Sequence, residues 1–319
     1  AALRAGAPRQ VRRRALAMGR IPIKVAVRMR PAGDGETIGR NEVSPVIGNT
    51  ISVMSATQRS TAPLRFNVVF GPEATQHDVF MQTGLPLLEA ALSGQQVCLF
   101  AYGQTGSGKT YSLLGADGGR CPSKLDGVVS QVVAELFRRA ARTEREGENE
   151  FRLAATFVEI YQNRIVDLLG KMDSDGNLPV LQLKQTHDGA EYQGAKLERV
   201  FSARGLTSLV EMASKRRATS PNSMHIHSSR SHAFLTLHLE RRTVKASQTT
   251  MLHLVDLAGS ESFSKAGEGA SINAGLLSLG KVLKALAERN PHVPYRDATL
   301  TRLLQSVLGG NSLTMMLAC

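Results

Sequence analysis

The sequence predicts an α/β fold with helices on both faces of a central sheet, and three observations carry that prediction. Periodic apolar segments read alternately as strands and helices along most of the 319 residues, the pattern of a layered α/β domain. The run QVCLFA at 96–101 is apolar without alternation, as expected for a strand buried on both faces. A glycine-rich loop follows it at once and opens onto a helical pattern. Composition agrees, since 42% hydrophobic and 21% charged residues suit a folded chain rather than a disordered one.

The elements follow in order. Residues 23–28 (IKVAVR) read as a buried first strand that stops before Pro31. Residues 32–50 are rich in Gly, Asn and Pro and read as loop with one short strand at most. FNVVF at 66–70 gives a strand, Gly71-Pro72 turns the chain, and Thr75 is placed to cap a helix running to about Leu92. After the 96–101 strand and its loop, a helix begins, breaks at Gly115–Gly119, resumes near Asp126 and runs to about Arg142. FRLAATFVEIY at 151–161 reads as a strand, 170–194 as loop and short hairpin, and 206–219 as a helix. That helix carries Lys215, Arg216 and Arg217 near its end, where cations suit the helix dipole. Residues 233–242 and 250–257 read as paired strands. Residues 271–289 read as an amphipathic helix with Leu276, Leu279, Leu283 and Leu286 on one face and Lys281 and Lys284 roughly opposite. A helix at 297–307 and a buried strand at 312–318 close the chain.

No apolar run reaches the roughly 18–20 residues that a spanning helix needs, which argues against an integral membrane protein. Cys98, Cys121 and Cys319 fit neither a disulfide framework nor a zinc site and read as free thiols of a reducing compartment. The net charge is +12, from 39 basic and 27 acidic side chains. Half of it lies in residues 1–20, which hold Arg4, Arg9, Arg12, Arg13, Arg14 and Arg20 and no acid. The division expected is a basic flexible arm at 1–20, with a presequence as the competing reading, and one domain over 21–319. The positive body suggests a polyanionic partner without saying which.

The strongest motif is Gly103-Gln104-Thr105-Gly106-Ser107-Gly108-Lys109-Thr110, which fits G-x-x-x-x-G-K-[ST] between a strand and a helix. Its glycines let backbone N–H groups face a phosphate chain, Lys109 can reach the β- and γ-phosphates, and the Thr110 hydroxyl can ligate Mg²⁺. Asp256-Leu257-Ala258-Gly259 leaves an apolar strand, where Asp256 can hold Mg²⁺ through water and the Gly259 N–H can meet a γ-phosphate. His227-Ser228-Ser229-Arg230-Ser231-His232 joins a helix to a strand with no packing logic of its own, so its hydroxyls suit metal and phosphate.

Together AYGQTGSGKT, SSRSH, DLAGSE and VPYRDATLTRLLQSVLGGNS, in this order, resemble the kinesin motor domain from about Ile21 to Cys319. The resemblance implies a P-loop NTPase three-layer fold with a mostly parallel mixed sheet of about eight strands. It implies an ATPase stimulated by microtubules, with ATP/ADP and Mg²⁺ as ligands, working in the cytoplasm on the cytoskeleton, at a spindle or axoneme among other places. Arg28 and Pro31 would flank the adenine with Tyr111 on its other side, and residues 103–110 would cradle the phosphates. Ser228, Ser229 and Arg230 would form switch I, with Ser229 near Mg²⁺ beside Thr110 and Asp256. Asp256, Gly259 and Glu261 would form switch II, and an Arg230–Glu261 ion pair would help organise the attacking water. Arg217 would contact Asp256. Lys265, Lys281, Lys284, Arg296 and Arg302 would face the microtubule.

Three positions and one segment depart from the family pattern. His225 stands where Asn is usual, the segment 264–271 is short, and Ala274 and Thr299 replace common lysines. The last two changes predict a weaker grip on the track. The family's final helix and neck linker are expected beyond residue 319, and no cargo is legible. A kinesin-fold microtubule binder with little turnover is the alternative reading. A nucleic-acid-dependent NTPase would suit the basic arm, but the SSRSH and DLAGSE pair argues against it.

Overall fold

The computed structural model describes residues 22–31, 49–51, 63–118, 126–145, 150–186, 189–218, 229–243, 246–261 and 268–319. The basic arm therefore lies outside the described residues, as do Cys121, His225, Ser228 and Lys265.

Strands are β1 (Lys24–Arg28), β2 (Thr50–Ile51), β3 (Leu64–Arg65), β4 (Val68–Phe70), β5 (Val97–Tyr102), β6 (Glu150–Tyr161), β7 (Arg164–Asp167), β8 (Val180–Thr186), β9 (Gly189–Gln193), β10 (Glu198–Val200), β11 (His232–Arg242), β12 (Ser247–Asp256) and β13 (Leu313–Ala318). The main sheet runs β4-β1-β13-β5-β12-β11-β6-β7-β8-β9, with β10 also paired to β6. From β4 to β12 the pairs are parallel, and from β12 onward they are antiparallel. The sheet is mixed as expected, but it has 11 strands rather than about eight, and with six antiparallel pairs against four parallel ones it is not mostly parallel. The excess is the β8–β9 hairpin and β10, which extend its antiparallel half. Strand β7 was hidden in the sequence because only four residues separate the turn at Gln162-Asn163 from the following loop.

The helices are α1 (76–92), α2 (Lys109–Leu114), α3 (Val128–Arg145), α4 (Ala203–Ala218), α5 (Glu268–Ala287) and α6 (Thr299–Leu308). Thr75 caps α1 as predicted: its hydroxyl accepts the Asp78 N–H at 3.1 Å, and the Asp78 carboxylate accepts the Thr75 N–H at 2.8 Å. The centre of α1 widens to a π turn at Phe80–Gly84, where the Leu85 N–H reaches Phe80 O. Pro86 explains it, because a proline removes a helical donor and crowds the preceding turn. Gly84 also lets α3 come close, since a Cβ there would lie 2.8 Å from Val128 Cγ1.

Two cores flank the sheet. One holds Leu87, Leu88, Leu113, Val132 and Val210 from α1 to α4, and the other holds Leu279, Val282, Leu300 and Leu304 from α5 and α6. Strand β5 feeds both, with Leu99 and Ala101 on one side and Cys98 and Phe100 on the other. The buried face of α5 is Leu276, Leu279, Val282 and Ala285, while Leu283 and Leu286 are half-buried at its margin. The apolar stripe is thus turned slightly from the four leucines the sequence suggested, with Val282 and Ala285 taking the buried positions.

Three histidines are held neutral, His232 buried and His238 and His253 half-buried. Burial holds His232 at about 3, and it holds His238 and His253 at about 4, His253 with help from neighbouring His238. Thr236 Oγ1 lies 3.0 Å from His253 Nδ1, and Thr156 Oγ1 lies 3.4 Å from His238 Nε2. An unfolded imidazole binds a proton below its ordinary 6.5, so the unfolded chain takes up protons that the folded one refuses. Stability therefore falls as pH drops from 6.5 toward 4, by about 1 kcal/mol per histidine at pH 5.5. Melting temperature is expected to drop between pH 7 and 5.5, and to drop less in His253→Gln.

Candidate functional site

The sheet brings the motifs together. Ala101 of β5 is in register with Asp256 of β12, Asp256 with Ala233 of β11, and Ala233 with Glu159 of β6. The loop after β5, the loop after β12 and the segment before β11 therefore leave one edge side by side.

The 103–110 loop has the backbone its glycines require. Gly108 takes a left-handed conformation (φ 103°) as it opens α2. Gly103 sits so close to the end of β13 that a Cβ would lie 2.4 Å from the Cys319 carbonyl oxygen. Lys109 is buried and its Nζ donates to Gln104 O at 2.8 Å. Burial lowers its pKa, partly opposed by the carboxylates of Asp256 and Glu261. The Thr110 hydroxyl donates to Asp256 Oδ2 at 2.7 Å.

The residues after β12 tie the loops to one another. Leu257 N–H donates to Ala101 O, Ser260 N–H to Gly103 O at 3.0 Å, and Gly259 N–H to Ser229 O at 2.8 Å. Ala258 N–H donates to His232 Nδ1 at 3.0 Å. The Glu261 carboxylate accepts the Thr105 N–H at 2.8 Å and the Thr105 hydroxyl. Burial pushes the Glu261 carboxyl up, but the Thr105 donors outweigh it and hold it below its ordinary value. A Cβ at Gly259 would run into both Glu261 carboxylate oxygens and the Thr105 hydroxyl, so a side chain there would have to displace the Glu261–Thr105 contact.

Beneath these loops lies a buried charge network. Arg217, at the end of α4, sets Nη1 3.2 Å from Asp256 Oδ2 and Nε 3.3 Å from Glu159 Oε1. Its Nη2 donates to Ser231 O at 2.8 Å, and Ser231 Oγ donates to Glu159 Oε1 at 2.5 Å. The expected Arg217–Asp256 contact is present. Asp256 Oδ1 and Ser107 Oγ are buried without a hydrogen-bond partner among the described residues. An oxygen-rich corner of Asp256 Oδ1 and the Thr110 hydroxyl fits a hard divalent cation that keeps some of its waters.

At the base end, the Arg28 guanidinium lies 5.0 Å from the centroid of the Tyr111 ring. It also donates to Gln76 Oε1 at 2.7 Å and Ser112 Oγ at 2.9 Å. Two stacked rings need about 3.5 Å between planes, the ordinary contact distance of carbon atoms, so no base fits between Arg28 and Tyr111. The arrangement differs here from the expected sandwich, and the free face of Tyr111, a residue 42% exposed, is the surface on offer. That face opens on a groove of about 670 Å³ bounded by Gln76, His77, Ser130 and Gln131. Pro31 is exposed nearby in sequence, at the end of β1.

Of the basic residues assigned to the outer face, Lys281, Lys284 and Arg296 are exposed. Arg302 is half-buried, with Nη2 3.5 Å from Gln185 Oε1. Lys284 lies 3.8 Å from Glu288. The sequence reading missed Glu159, Ser231 and Gln76. Glu159 had a signal, since it is a lone acid inside the apolar strand TFVEIY. Gln76 had none, because its partners Arg28 and Tyr111 are remote in sequence.

The family model described as kinesin motor domain matches residues 28–319. The kinesin-like protein KIN-14A of Oryza sativa subsp. japonica is 37% identical over 309 residues, covering 93% of this chain and 31% of the relative. The human chromosome-associated kinesin KIF4A is 36% identical over 313 residues, covering 94% of this chain and 25% of the relative. The chain thus spans about a third or less of the length of such relatives. A solved KIF14 dimer in a two-heads-bound state, with AMP-PNP and in complex with a microtubule, superimposes with a TM-score of 0.82 at 34% identity, over 94% of this chain and 88% of that one. The motor domain of a Kar3-like kinesin from Ashbya gossypii gives 0.75 at 27% identity, over 93% and 91%.

Proposed function

The chain belongs to the kinesin motor domain family, and on that premise we propose that it hydrolyses ATP and couples the ATP/ADP state to its grip on microtubules. The observation that carries this reading is the direct tie between the loops: Gly259 N–H on Ser229 O, and Glu261 on Thr105 of the phosphate loop. A terminal phosphate placed among these groups competes for the same donors, so its presence or loss must rearrange them.

Lys109 and the backbone of 103–110 bind the phosphates, and Tyr111 offers its open face to the base. Thr110, Ser229 and Asp256 would hold Mg²⁺, which neutralises phosphate charge when bound, with Ser228 beside them in switch I. Arg230 and Glu261 orient the attacking water, and Gly259 reads the γ-phosphate. Helix α5 follows this loop and carries Lys281 and Lys284 on its exposed side, so movement at Gly259 reaches the filament-facing surface. Lys265, Arg296 and Arg302 complete that surface. The protein would act on the microtubule cytoskeleton. Among the described residues no helix is long and apolar enough to cross a membrane.

Steady-state ATPase with and without microtubules tests the reading. Microtubules are expected to stimulate turnover, and cosedimentation is expected to weaken steeply as salt is raised, because exposed charges act together and are screened. Nucleotide binding with no stimulation at saturating microtubules would leave a filament binder without a motor's cycle. Stimulation by DNA or RNA instead would reject the filament altogether.

A further inference from the structure

Leu277 takes no part in either core. It is 64% exposed on α5 and belongs to neither of the two apolar clusters. The helix period sets it in one outer row with Ala274, Gly280, Lys281 and Lys284. All five residues are exposed. The space over Gly280 is open, with no atom within 4 Å of where a Cβ would lie. One half of the row is therefore apolar and low-walled, a leucine between two small residues. The other half carries two ammonium groups.

A single exposed leucine is common on protein surfaces and asks for nothing by itself. Leu277 differs by its place, since it shares a row with the two lysines read above as facing the filament. It is also the one large exposed hydrophobic among the described residues of α5, and its apolar surface gains nothing from the fold. Protein interfaces concentrate their strength in an apolar centre with charges at the rim. The small side chains at 274 and 280 let a partner surface close around the leucine. We propose that Leu277 is an apolar anchor for the microtubule, seated in an apolar depression of the filament surface, with Lys281 and Lys284 as the charged rim of the same contact. The inference rests on the filament reading above. It gives the charge missing at Ala274 a counterpart: part of the grip passes from screened charge to burial, which the Debye length does not govern.

Cosedimentation with microtubules across a salt series, with AMP-PNP present throughout, separates the two contributions. Rim charges set how steeply affinity falls with salt, whereas an apolar contact sets its level at every salt. Leu277→Ser is expected to lower affinity about tenfold across the whole series, the scale of burying one leucine side chain, with the slope of wild type. Leu277→Met, apolar and of similar volume, should stay within a few-fold of wild type. Lys281→Ala should flatten the slope, and Leu277→Lys should steepen it while losing the apolar contribution. The position is exposed, so each side chain can be placed without disturbing the core. Wild-type protein that fails to bind microtubules at any salt would overturn the filament reading and this inference with it. Wild-type binding that Leu277→Ser leaves unchanged, or weakens only at low salt, overturns this inference alone. So does self-association of the wild type that Leu277→Ser abolishes while cosedimentation stays the same, which would give the leucine to a second copy of the chain.

Discussion

Replacing Lys109 with alanine is expected to abolish nucleotide binding. The ammonium group lies in a buried setting beside Asp256, and it donates to the Gln104 carbonyl of the phosphate loop. It is therefore held by the loop itself where the proposed phosphates would lie, with its charge already stripped of much of its water. A buried charge-assisted contact of this kind is worth about 3 kcal/mol or more when one partner is removed, roughly a hundredfold in affinity. Titration with fluorescent ATP or ADP reads the loss directly. The variant should remain folded, because the loop's glycine geometry and the Thr110–Asp256 bond do not depend on the side chain. Binding within a few-fold of wild type would show that the loop is not the phosphate site.

The second large effect is expected at Glu261. Glu261→Ala should still bind ATP, since Lys109, Thr110 and the loop amides are untouched. Hydrolysis should fall by roughly a hundredfold or more, the scale on which a group that positions and deprotonates water contributes. Glu261 sits on Thr105 and passes close to Gly259, so it is placed to follow a change in either loop. Single-turnover hydrolysis beside equilibrium ATP binding separates the two steps. A Glu261→Ala protein that hydrolyses ATP at the normal rate would refute the pairing of Arg230 with Glu261 in catalysis.

Much of this architecture was legible because local chemistry and long-range packing agree. The run 96–101 is apolar without alternation because β5 lies inside the sheet, between β12 and β13, with a core on each face. Thr75 marked a helix start because Asp78 stands three residues on. The phosphate loop, Asp256 and Glu261 were legible because their chemistry is confined to short stretches. Strand β10 was not, since its three residues are held by pairing with Ala154 and its neighbours on distant β6. The Arg28–Tyr111 contact was hidden for a similar reason: a planar cation can stack on a ring or flank a base, and only the fold decides. Glu159 shows the limit of motif reading. An acid in a strand gains meaning only when the register sets it beside Ser231 and Arg217.

That register has a mechanical consequence. Ala101, Asp256, Ala233 and Glu159 form one row across four hydrogen-bonded strands, and a close-packed sheet resists shear. The row behaves as an anvil: a load applied at Asp256 cannot be absorbed by sliding β12 against its neighbours. Strain has to leave through the compliant parts beyond the strand ends, and what a chemical step releases there is delivered as displacement rather than dissipated within the platform.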